Sequence, residues 1–228
     1  MSEKQFYLLQ VNDALFPIGG YSHSQGLETY IQRGIVHDVD TAREYITHKI
    51  KWNLAYTELL AARLAYEAAE KKDLKELLYL EELLEASRIP MEQREAARKM
   101  GSRFAKTIEK LGLSISENGI FREYLDARKG KAVNHCCIYG VFCAEMQIPL
   151  DEALTHYLYA QTSAMVTNCV KTVPLSQTAG QQILFEAQEL FDEVMTRLTG
   201  LDEDDLGAEA PGFFVIASPF GHFHFTAP

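Results

Sequence analysis

Apolar residues recur at helical spacing along nearly the whole chain. A first helix is predicted from about Gln5 to Leu15, with Phe6, Leu9 and Val11 as core positions. It should stop at Phe16-Pro17, because proline disfavours helix in the residue before it. Pro17, Gly19 and Gly20 make a turn, and Ser22 followed by Gln25 fits a capping box. That box would open a helix carrying Leu27, Tyr30 and Ile31 and ending at Gly34. Thr41 with Glu44 reads as a second capping box, opening the longest periodic stretch, to Glu70. Ile46, Ile50, Leu54, Leu60, Leu64 and Ala68 recur along it with one wider gap, predicting a rod of roughly 45 Å.

Further helices are predicted from Asp73, from Pro90 to Gly112, from Ser116 to near Gly130, and from Val133 to Met146. In the last of these, Gly140 and Ala144 would let another helix approach closely. A long helix runs from Pro149 to Pro174, which closes or kinks it, and a final amphipathic helix ends at Gly200. Only "FFVIA", near the end, reads as a strand. The expectation is an all-α, single-domain bundle of about eight to ten helices. It should occupy residues 1–210, with a flexible tail over 211–228.

Composition narrows the function classes. Hydrophobic residues make up 47% of the 228 and charged residues 24%, which suits a globular core rather than disorder. The formal charge of −10 makes nucleic acid and anionic membrane poor non-specific partners, and a basic protein or a cation an easier one. The opening "MSEKQFYLLQ" does not read as a secretion leader, and no apolar run approaches a membrane span. Four cysteines, two of them adjacent, do not make a disulfide scaffold. These features predict a cytoplasmic protein.

The chemistry inventory is sparse. There is no phosphate-binding G-x-x-x-x-G-K-[ST], no H-E-x-x-H, no paired C-x-x-C and no G-x-S-x-G. His135, Cys136 and Cys137 are consecutive, so on a helix they diverge by about 100° each and cannot converge on one ion. Buried free cysteine is the favoured reading there. His222 and His224 would share one side of an extended tail but supply only two ligands. His23 in the glycine turn either binds a ligand or a metal or hydrogen-bonds its own loop. Tyr157, Tyr159 and Gln161 lie on one long helix, and the aromatic strip of the two tyrosines suits core or helix–helix contact. No catalytic, cofactor or metal site is assigned, and a binding or assembly component is favoured over an enzyme.

Two longer blocks say more. "LLQVNDALFPIGGYSHSQGLETYIQRG", Leu8 to Gly34, and "HYLYAQTSAMVTNCVKTVPLSQTAGQQIL", His156 to Leu184, resemble the two signature regions of the urease accessory protein UreF family. The similarity covers about residues 6 to 206. It implies an all-α homodimer that is not an enzyme. It also implies binding to UreD (UreH in some organisms), recruitment of the GTPase UreG, and delivery of nickel to apo-urease, whose lysine must first be carbamylated. The missing phosphate loop agrees, since nucleotide chemistry would belong to the partner.

By the same resemblance Tyr21, Ser22, His23, Gly26 and Glu28 belong to a partner-facing surface, and Tyr159 to the homodimer interface. Lys171, Pro174, Leu175, Gln177 and Gly180 match the second block, with Lys171 and Gln177 as partner contacts. The chain departs from the family at its end: "IASPFGHFHFTAP" replaces the usual basic ending, and no Lys or Arg follows Arg197. Two rival functions remain, an all-α metallochaperone carrying nickel itself and a small-molecule enzyme with a pocket among its helices.

Overall fold

The computed structural model describes residues 2–19, 26–87, 91–113 and 115–208. Among these the chain is all helical: α1 (Glu3–Val11), α2 (Leu27–Gln32), α3 (Val39–His48), a π-helical stretch (Lys49–Leu59), α4 (Leu60–Glu70), α5 (Leu74–Ser87), α6 (Met91–Leu111), α7 (Ile120–Ala127), α8 (His135–Glu145), α9 (Leu150–Thr172), α10 (Gln177–Ala187) and α11 (Glu189–Leu198). A 3₁₀ turn (Glu203–Asp205) follows. α3, the π stretch and α4 run on without a break, so the described residues form ten helices.

α8 organises the bundle. Every residue from His135 to Cys143 is buried, so this helix is apolar all round rather than on one stripe. It packs against α4, α6, α7 and α9. Gly140 makes the α4 contact possible, because a Cβ there would lie 2.3 Å from the Ala62 carbonyl oxygen and 3.0 Å from the Tyr66 nitrogen. Gly101 does the same for α6, where a Cβ would lie 2.1 Å from the Val133 carbonyl oxygen. The close approach expected of Gly140 is therefore present.

The predicted long rod exists, but its middle is wound differently. The wide gap between Leu54 and Leu60 falls inside the π stretch, where Ala55 and Leu59 take the buried positions. An i→i+5 winding takes more residues per turn, so a 3.6-residue stripe loses register there. The stretch is supported from outside. Arg197 Nη1 donates to the Lys51 carbonyl (3.1 Å), and the Gly207 N–H to the Tyr56 carbonyl (2.8 Å). Arg197 also lies 4.9 Å over the Trp52 ring, which stacks on Tyr56.

A buried polar network pins the α7–α8 connection. Glu81 of α5 is fully buried; it accepts from the Tyr124 hydroxyl, the Asn134 N–H (2.9 Å) and the Asn134 side-chain amide (2.7 Å). Arg128, also buried, lies 3.6 Å from Glu81 and 3.4 Å from Glu85, and donates to the Ala132 carbonyl (2.5 Å). A buried carboxylate is tolerable because its oxygens are met in this way.

Several boundaries differ from the sequence reading. α1 ends at Val11, not Leu15: Asn12 donates to the Leu8 carbonyl (2.9 Å) and to the Tyr139 hydroxyl (3.0 Å), stopping the helix early. Its inward residues are Leu8 and Val11, while Phe6 and Leu9, expected in the core, are 51% and 49% exposed. α2 begins at Leu27 with Gly26 as its N-cap at φ 90°; the box read at Ser22–Gln25 lies outside the described residues. The second capping box is Asp38 with Thr41, not Thr41 with Glu44. α7 starts at Ile120 rather than Ser116. Of the two outcomes expected at Pro174 the helix closes rather than kinks, α9 ending at Thr172. The single helix expected up to Gly200 is two, parted at Gln188. "FFVIA" lies outside the described residues.

Candidate functional site

The feature that stands out on this surface is an apolar groove between α1, α9 and α10, about 790 Å³ in volume. Its floor includes Phe16, Met165 and Leu184, and its rim Leu9, Tyr159 and Phe185. Phe185 is 71% exposed and Tyr159 51%. Scattered exposed apolar residues are ordinary, but several large ones around one concavity are the usual mark of an interaction surface.

Helical geometry explains why Tyr159 is available while its neighbour is not. Residues 157 and 159 lie about 200° apart around α9, on opposite sides. Tyr157 is buried, 4.9 Å from Tyr139 and stacked 5.7 Å from His135. Tyr159 projects into the groove, where its ring is apolar and its hydroxyl can still reach water. The aromatic strip is thus one core residue and one surface residue.

The groove lacks a catalytic arrangement among the described residues. His156 lines it, and so does Asp13. Asp13 Oδ1, however, accepts from the Leu15 N–H (2.7 Å) and shapes its own turn. His135 is packed edge-on to Phe104 at 5.5 Å. Cys136, Cys137, Cys143 and Cys169 are buried and form no disulfide. Burial pushes the Cys143 thiol well up and the Cys169 thiol to about 12, so neither is a thiolate at neutral pH. No three His, Cys, Asp or Glu residues are grouped to hold a metal among the described residues. No helix among them is long and apolar enough to cross a membrane.

The other residues singled out in the sequence spread over a wider area. Glu28 is exposed in the first turn of α2. Lys171 is exposed in the last turn of α9, and Gln177 is the exposed first residue of α10. Gly180 is a packing residue, since a Cβ there would lie 2.5 Å from Val170 Cγ2. Tyr21, Ser22, His23, Gly20, His222 and His224 lie outside the described residues. Sequence reasoning missed Phe185 and placed Leu9 in the core. Each sits in a helix whose apolar residues are not confined to one stripe.

α3 is tied to this region as well, because Arg43 Nε donates to Glu186 of α10 at 2.6 Å.

A family description, UreF, matches residues 36–188 of the chain. The matched span contains α9 and most of the groove and begins after the first signature block. A urease accessory protein UreF from Bacillus sp. (strain TB-90) is 38% identical over 207 residues, covering 90% of this chain and 89% of that protein. The protein of the same description from Lachnoclostridium phytofermentans is 36% identical over 207 residues, with the same coverage.

Proposed function

The chain belongs to the UreF family of urease accessory proteins, non-catalytic maturation factors rather than enzymes, and from that membership we propose that it serves nickel insertion into apo-urease through protein contacts alone. In this reading it binds UreD (UreH), and the pair recruits the GTPase UreG. Nickel is cargo, and bond-making is left to the neighbours.

The observation that carries the reading is the apolar groove with Tyr159 and Phe185 on its rim. A surface of this kind is costly to leave in water, and covering it is the favourable step. The homodimer is assigned to this face, with Tyr159 near its centre. Tyr21, Ser22, His23, Glu28, Lys171 and Gln177 are assigned to contacts with the other accessory proteins.

Co-expression with UreD/UreH and UreG tests the proposal. The expected outcome is a stable complex of all three on affinity purification through any one component, with UreG lost when this chain is omitted. Recovery of UreD/UreH with UreG in its absence, at the same yield, would contradict it.

A further inference from the structure

The net charge of −10 hides a local reversal. α6 carries six cations, Arg94, Arg98, Lys99, Arg103, Lys106 and Lys110, against three glutamates. Four of the cations, Lys99, Arg103, Lys106 and Lys110, are exposed and fall at spacings of four, three and four residues. At 100° per residue they lie within an arc of about 60° and form a stripe roughly 17 Å long. Like charges at i,i+4 destabilise a helix locally, so this arrangement carries a small cost.

The stripe is rigid and only partly neutralised. The opposite face of α6 is anchored through Phe104 and Ile108, and Gly101 brings the helix against the start of α8. Lys99 pairs with Glu95 at 3.5 Å, and Glu109 is taken by Arg122 of α7 at 3.0 Å. Lys106 and Lys110 have no anionic partner among the described residues. The stripe also abuts the regions already implicated: Met100, beside Lys99, lines the groove, and Arg103 Nη1 donates to the Ile18 carbonyl (3.4 Å), just before Gly19 in the sequence.

We propose that the outer face of α6, through Lys99, Arg103, Lys106 and Lys110, is a docking surface for an acidic helical face of another accessory protein. Screening in physiological salt acts over about 8 Å, so an approaching partner responds to this stripe rather than to the chain's total charge. The helical spacing of the cations matches carboxylates repeated at three and four residues on a facing helix. This inference rests on the function proposed above.

The test measures association of the full chain, and of its Lys106→Glu/Lys110→Glu variant, with purified UreD/UreH and purified UreG at low and high salt. With at least one probe, the variant should associate about tenfold more slowly at low ionic strength, with the difference closing at high salt. Lys106→Ala/Lys110→Ala should fall between, and helix content should not change, since both side chains are exposed. Equal rates and equal salt dependence for wild type and variant, with complexes still forming, would overturn the inference alone. Failure of the wild-type chain to bind either probe would overturn the functional reading and this inference with it. Salt-sensitive binding of phosphatidylserine vesicles or single-stranded RNA through these lysines, without an effect on the protein probes, would also overturn it.

Discussion

Gly140→Val should be among the most damaging single substitutions in this protein. The added side chain would begin 2.3 Å from the Ala62 carbonyl oxygen and 3.0 Å from the Tyr66 nitrogen, both backbone atoms of α4. A side chain in that position could rotate aside; a helical backbone cannot. α4 and α8 must separate, and α8 is the helix against which α4, α6, α7 and α9 all pack. Overpacking a well-filled core costs about 1–3 kcal/mol, and a clash with rigid backbone belongs at or beyond the top of that range. For a chain of this size, that lowers the melting temperature by about 10 °C. Thermal unfolding followed by circular dichroism checks the value. Gly34→Ala supplies the contrast, because nothing lies within 4 Å of its Cβ and its penalty comes only from φ +68°. An equal loss at both positions would remove the packing explanation.

Tyr159→Asp should abolish the proposed homodimer while leaving the subunit folded. Tyr159 is half exposed in the single chain, so a carboxylate there remains hydrated until a second copy covers it. Burying it unpaired would then cost several kcal/mol, a large part of the free energy of an ordinary interface. Phe185→Asp, also at the groove, should act in the same direction. Light scattering reads the result directly: the wild-type mass should fall by half in either variant, with helix content retained. An unchanged mass in both variants would separate the dimer from this groove.

Much of the architecture was legible because amphipathic helices announce themselves by spacing. Gly140 was recognisable as a contact point because it and Ala144 are small residues in a largely apolar helix. The π stretch left only a trace, the wide interval between Leu54 and Leu60. That interval has no meaning until the winding is known. Phe6 and Leu9 misled because an exposed apolar residue in a helix has the same sequence signature as one in the core. For the same reason Phe185 went unnoticed.

The Glu81 network was invisible for a different reason. A glutamate in a helix rich in leucine and glutamate reads as solvated, and its partners Tyr124, Arg128 and Asn134 lie more than forty residues away. The α6 stripe was present in the sequence but submerged in the total charge. Of the partner residues inferred by resemblance, Glu28, Lys171 and Gln177 are exposed, as a contact requires. What each touches depends on a second protein and is not encoded in local periodicity.

The most direct test of the central claim is activation of apo-urease by nickel and bicarbonate in a mixture of purified UreD/UreH, UreG and GTP, with and without this chain. Urease activity should rise strongly only when the chain is present, and the Tyr159→Asp variant should fail to replace it. Full activation in its absence, or equal activation by the monomeric variant, would contradict an account in which this helical bundle works by being covered by its partners.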